Sequence, residues 1–180
     1  MNHRLRGVAA GMMLMAFGMT AATAQPLRPP AAPPVFQVNR FDCGVAALAT
    51  VLSLQQGHAV VPETLTTALA LTEGEQAAVR EQGYSLYELS RMAQAMGAQA
   101  VVQHLDASAL PALPLPALVY LRLPTGPHFS VVTELAGDSV ALADPSQGLM
   151  IWPKAQFLAA WAPSGSGYAL TVTADPDASV

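Results

Sequence analysis

Between Cys43 and Gln56 the chain is apolar almost all the way round a helical wheel. Ala46, Ala47, Leu48, Ala49, Val51 and Leu52 leave no polar stripe wide enough to face water. A helix of that kind is stable only when other elements enclose it, so the rest of the chain has to build layers around this segment. Asp42 supplies an N-cap residue and Gly57 a C-terminal cap. The helix opens on Cys43, the one cysteine among 180 residues. A thiol at a helix start faces unsatisfied backbone N–H groups and the positive end of the helix dipole, and both favour the nucleophilic thiolate. The segment that dictates a buried centre therefore also carries a candidate nucleophile at its end.

The elements around it follow an order. Pro62 to Leu71 reads as a second helix opened by proline, and the polar stretch Thr72 to Gly83 is open between surface helix and loop. Ser85-Leu86-Tyr87-Glu88 is a capping box; Leu86, Leu89, Met92, Ala93 and Met96 follow at helical spacing, and Gly97 ends the run. The period then changes. Ala98 to Gln103, Pro116 to Leu123, Phe129 to Glu134, Val140 to Ala143, Leu149 to Trp152 and Tyr168 to Thr173 read as strands. Gly137-Asp138 and Gln147-Gly148 serve as turns, Asp106 to Leu113 as a turn or short helix, and Lys154 to Trp161 as a short helix. Helices first and a mostly antiparallel sheet after them make an α+β domain. Val35 to Val38 is open between a short strand and an ordered arm.

Ahead of that domain the sequence changes character. Arg4 and Arg6 precede an uncharged apolar run from Val8 to Ala21, and Ala22-Thr23-Ala24 offers the small residues of a cleavage site. These are the parts of a secretory signal peptide covering 1–24, with cleavage before Gln25. The run is shorter than the ~20 residues a spanning helix needs. Residues 25–34 hold five prolines and read as an extended linker. The domain is expected over 35–173, with a mobile tail at 174–180. Losing Arg4 and Arg6 leaves six basic residues against twelve acidic ones. No basic cluster remains to bind nucleic acid, and no second long apolar segment remains to hold the mature chain in a membrane. A lone cysteine in an exported chain is either buried and inert or kept for its reactivity.

Three further residues point to the second use. Gln37 lies six positions before Cys43, where a side-chain amide can stand beside the sulfur. His128 precedes an apolar strand, and Asp144 precedes Pro145. Each has a plainer reading: Gln37 as a turn cap, His128 as a histidine at the edge of the core, Asp144 as an ordinary turn signal. His104, among Val101, Val102 and Leu105, is a second candidate base; His58, after a capping glycine, reads as a surface residue.

The segments Gln37 to Leu48, Gly83-Tyr84-Ser85-Leu86 with Gly97, Leu113 to Ala117, His128-Phe129-Ser130-Val131-Val132, and Ala143-Asp144-Pro145 with Gly148 resemble, in that order, the C39-type peptidases. These are papain-like cysteine peptidases that process leader peptides at double-glycine sites. Phe157 and Trp161 fit the closing helix of that family, and the resemblance runs from about Val35 to Tyr168. It implies a papain-like fold whose helical half carries the nucleophile and packs on the sheet. It implies Cys43 as nucleophile, His128 as general base and acid, Asp144 as the residue orienting the imidazole, and Gln37 as an oxyanion donor with the Cys43 backbone N–H. No metal or other cofactor is implied.

Many members of that family are domains of ABC exporters. This sequence carries a signal peptide, stops at Val180 and has no Gly-x4-Gly-Lys-[Ser/Thr] nucleotide loop. The expectation is a stand-alone endopeptidase, periplasmic or secreted, acting on another exported polypeptide and associated with a secretion or surface-fibre system. Two other functions stay open on the same fold: a non-catalytic peptide-binding or chaperone domain, and an acyl transferase using the same triad.

Overall fold

The computed structural model describes residues 27, 30 and 32–174. The expected signal peptide, residues 25, 26, 28, 29 and 31 of the proline-rich linker and residues 175–180 of the tail lie outside the described residues. Helix α1 runs Cys43–Gln56, and every residue from Cys43 to Ser53 is buried. Its small residues Ala46, Ala47 and Ala49 are fully enclosed, which lets neighbours approach closely on all sides. Gly57 ends it in the left-handed conformation, at φ 70. The two hydroxyls on α1 satisfy themselves locally and tie in flanking chain. Thr50 Oγ1 donates to the Ala46 carbonyl and accepts from the Val35 N–H, while Ser53 Oγ donates to the Ala49 carbonyl and accepts from the Val60 N–H.

Helix α2 covers Pro62–Ala68, three residues less than its pattern allowed. Leu69 leaves the helix in an extended conformation and is buried, and Leu71 packs partly buried on the same core. Packing Leu69 and Leu71 onto the core won over the helix propensity of Leu69-Ala70-Leu71. The polar stretch after it is helix α3, Glu73–Gln82. It buries no side chain and depends on its ends: Thr72 and Glu75 form a capping box, and Arg91 reaches Glu75 at 3.0 Å. Helix α4, Leu86–Ala95, starts from the Ser85–Glu88 capping box and buries Leu89, Met92 and Ala93.

Six strands follow: β1 Ala98–Asp106, β2 Ala117–Leu123, β3 Gly126–Ala136, β4 Ser139–Asp144, β5 Gly148–Pro153 and β6 Ser166–Ala174. They form one sheet in the order β1-β6-β2-β3-β4-β5, antiparallel at every pairing. β3 begins three residues before Phe129, so His128 stands inside the strand opposite Leu121. Ala174 pairs with Ala98, one residue past the expected domain end. Residues 35–38 form an irregular arm rather than a strand.

Alternation along the strands gives the sheet two apolar faces. Leu118, Phe129, Val131, Ala143, Leu170 and Val172 join α1, α2 and α4 in one core. Val119, Leu121, Val132, Leu142 and Ala169 join helix α5, Lys154–Trp161, and the 3-10 turn Ala107–Ala112 in a second core. The chain is thus a mixed helix and antiparallel-sheet fold with helices on both faces. Its buried first helix enters the larger core with Cys43 at one end. Among the described residues no helix is long and apolar enough to cross a membrane.

Candidate active site

The site sits where α1 begins beside β3. Cys43 is the first residue of α1, a free thiol exposed to 8%. At Gly44, its neighbour, the helix lies close against its surroundings: a Cβ there would stand 3.0 Å from Leu89 and 3.1 Å from Phe129. A residue without a side chain lets the helix start drop onto β3.

His128 Nε2 lies 2.8 Å from Asp144 Oδ2, and neither side chain is more than 13% exposed. Burial opposes a charge on the imidazole. The hydrogen bond to Asp144, the interaction with the Cys43 thiol and the charges of both partners outweigh it and push the His128 pKa up to about 9. Burial likewise opposes ionisation of Asp144. Hydrogen bonds from His128 and Ser146 and the imidazolium charge overcome that and hold its pKa down at about 2. The two shifts agree on a buried imidazolium–carboxylate pair. With Nε2 turned to Asp144, Nδ1 is the ring nitrogen left for the thiol.

Asp144 ends β4, and its second oxygen is fully occupied. Oδ1 accepts from Ser146 N–H at 2.9 Å, Ser146 Oγ at 2.6 Å and Gln147 N–H at 3.1 Å. This is an aspartate turn closed over Pro145. It fixes the carboxylate so that Oδ2 points to the histidine.

Gln37 lies in the arm, with its backbone N–H donating to the Pro145 carbonyl at 2.9 Å. That bond sets it one residue from Asp144 in the opposing chain. Its side-chain Nε2 donates to the Asn39 carbonyl at 3.1 Å, within its own loop, and Oε1 is buried without a partner. His104 stands elsewhere, exposed on β1 with its ring stacked on Tyr168 at 4.4 Å, and the Cys43 thiol interacts with His128 instead. His58 is exposed, its Nδ1 3.3 Å from the Gln56 carbonyl.

Cys43 also borders a cleft of about 790 Å³. One wall is the connection from α3 to α4, Glu81 to Leu86. The other is the hairpin of β2 and β3 with Tyr168 of β6. Five rings line it: Phe41, Tyr84, Tyr120, Phe129 and Tyr168. Burial raises the pKa of the Tyr84 phenol, and the Asp42 carboxylate adds to that, so the phenol stays neutral over a wide pH range. Sequence reading did not assemble these rings, which come from five separate segments. It also passed over Ser146 and Asn39, although an Asp-Pro-Ser turn and an Asn three residues before an Asp are both legible as local hydrogen-bonding patterns. Among the described residues no group of three or more His, Cys, Asp or Glu side chains is arranged to hold a metal ion.

The sequence of residues 31–177 matches the model of the peptidase C39 family. Among curated proteins, the probable functional amyloid proteases FapD of Pseudomonas aeruginosa and Pseudomonas fluorescens are 32% and 30% identical to this chain over 139 residues. Each match covers 74% of this chain and 61% of the relative, so the chain spans less than two thirds of those proteins' length. Among solved structures, a double-glycine motif protease from an AMS/PCAT transporter, in complex with its leader peptide, superposes with a TM-score of 0.64. The match is 21% identical and covers 84% of this chain and 99% of that one. The peptidase domain of Streptococcus ComA gives a TM-score of 0.63 at 19% identity, covering 79% and 98%. The two structures establish a shared fold.

Proposed function

The chain belongs to the peptidase C39 family of cysteine peptidases, and from that premise we propose that it is an exported endopeptidase cutting another exported polypeptide after a double-glycine site. The observation that carries this reading is the His128 imidazole, set between the Asp144 carboxylate and the Cys43 sulfur, with Cys43 bordering the cleft.

In this mechanism the Cys43 thiol gives its proton to His128, and the sulfur attacks the carbonyl carbon on the acyl side of the scissile bond. Negative charge moves onto the carbonyl oxygen. The backbone N–H of Cys43 and the second N–H of the Gln37 amide receive it, the first being engaged by Asn39. His128 gives its proton to the departing amine, and the C–N bond breaks to leave a thioester. The imidazole, now neutral, takes a proton from water as the hydroxide adds. The thioester carbon–sulfur bond then breaks, releasing the acid and restoring the thiolate–imidazolium pair. Asp144 keeps the ring oriented through both steps.

The substrate is placed among secretion or surface-fibre components. The resemblance to proteases named for functional amyloid supports that class, and the signal-peptide pattern supports export. The test uses protein purified from the extracytoplasmic fraction and synthetic peptides spanning Gly-Gly junctions, with products read by mass spectrometry. Cleavage after the second glycine, lost in Cys43→Ala, is the expected result, with Gln25 as the mature N-terminus. Intact peptides in the presence of a reactive Cys43 thiol would sink the double-glycine reading. Full biological complementation by Cys43→Ala would replace the peptidase with a peptide-binding role.

A further inference from the structure

Five residues separate Gln37 from Cys43, and one residue organises them all. The Asn39 side-chain Oδ1 accepts the Phe41 N–H at 2.9 Å, and its Nδ2 donates to Asp42 Oδ2. The Asn39 carbonyl accepts the Asp42 N–H at 3.2 Å and the Gln37 Nε2 at 3.1 Å. Asn39 is itself exposed, so these bonds are not a by-product of core packing. They close the loop on itself and put the Asn39 carbonyl where it also grips the Gln37 amide.

The bond to Asp42 has a second consequence. Asp42 occupies the N-cap position of α1, yet its side chain caps no helix N–H. An aspartate there ordinarily turns its carboxylate onto the first-turn amides. Here the carboxylate is drawn back to Asn39 and caps no first-turn amide. It also faces Tyr84 in the cleft wall.

We propose that Asn39 is a positioning residue: it sets the Gln37 amide, so that this donor is in place before the carbonyl oxygen becomes charged. This rests on the reading of Gln37 as oxyanion donor. Donors fixed in advance need no reorganisation when charge develops, and each is worth ~10²–10³ in rate. Loosening the loop removes part of that advantage from the transition state and leaves ground-state binding in the cleft alone.

The experiment is a double-mutant cycle with a peptidyl-Gly-Gly aminocoumarin amide as probe. Asn39→Ala in otherwise native protein lowers kcat about tenfold or more, with KM within about twofold. In the Gln37→Ala background the same substitution changes kcat by less than about threefold, because the amide it positions has gone. Asn39→Asp, isosteric and still able to accept the Phe41 N–H, loses the donor to Asp42 and shows the same background dependence. It serves where the alanine variant unfolds. Equal losses in both backgrounds, or a loss confined to KM, overturn the proposal. A Gln37→Ala variant with native kcat overturns it together with the Gln37 assignment. The peptidase reading itself is judged separately, by cleavage of the probe and its loss in Cys43→Ala.

Discussion

A single carboxylate shows how much of this site is set residue by residue. Asp144 is 1% exposed and spends one oxygen on a three-donor turn and the other on His128. Removing the side chain would strip the turn as well as the histidine, so Asp144→Asn is the cleaner change: it keeps the shape and deletes the charge. The sign of its effect follows from what holds the imidazolium. Without the carboxylate, burial is opposed only by the thiol, and the His128 pKa falls from about 9 toward or below its ordinary 6.5. The basic limb of kcat/KM is expected near pH 9 in the native protein and two or more units lower in Asp144→Asn. An unmoved limb would mean that His128 is not the titrating group. Stability follows the same pair. The raised histidine pKa contributes fully below about 6.5 and is lost as pH rises through about 9; the depressed aspartate pKa contributes above about 3.8 and is lost as pH falls through about 2. Urea midpoints are therefore highest between about pH 4 and 6.5 as far as this pair is concerned.

Elements were legible in the sequence wherever one local rule dominated. The all-round apolar run gave α1 its full length, from Cys43 to the capping glycine, and the Ser85–Glu88 box gave the start of α4. Thr72-x-x-Glu75 carries the same capping signal and marks the start of α3, which polarity alone left open. The extra residues at the front of β3 were hidden because Gly126-Pro127 reads as loop, while the ladder to β2 continues through Pro127 opposite Arg122. What no local pattern reveals is a contact between elements. Gly167 is such a case: a Cβ there would lie 2.5 Å from the Trp161 carbonyl oxygen and 2.6 Å from its ring. The same tryptophan donates Nε1–H to the Tyr168 carbonyl at 2.9 Å. Backbone cannot yield as a flexible side chain can, so Gly167→Ala forces α5 and β6 apart. Overpacking of this kind costs ~1–3 kcal/mol. Equilibrium urea denaturation is expected to show that loss as a lower midpoint at unchanged slope, and a midpoint equal to the native one would contradict the contact.

At the scale of the whole molecule, the Cys43, His128 and Asp144 group and the ring-lined cleft draw on different parts of the fold. Cys43, His128 and Asp144 were legible as candidates because a short motif surrounds each, whereas the cleft is built from five segments that only folding brings together. Its rings come from the loop before α1, the segment before α4, and strands β2, β3 and β6. Tyr120 and Phe129 are cross-strand partners with ring centroids 5.4 Å apart. Phe129 packs beside Gly44 and so leads directly from Cys43, and Tyr168 carries the lining on to β6, where the residue is 39% exposed. On the proposed reading these rings bind a peptide before reaction and equally in the transition state, which is uniform binding and acts on KM. Tyr168 suits a test of this division, because its backbone is pinned by Trp161 while its ring meets solvent. Tyr168→Ala is expected to raise KM for an extended Gly-Gly peptide by roughly 5- to 20-fold, the weight of one aromatic contact of ~1–2 kcal/mol. kcat should stay within about twofold, and alkylation of Cys43 by iodoacetamide, which makes no use of the cleft, should keep its native rate. The reverse pattern, a fall in kcat at constant KM, would place Tyr168 in the reacting geometry and the peptide on some other surface.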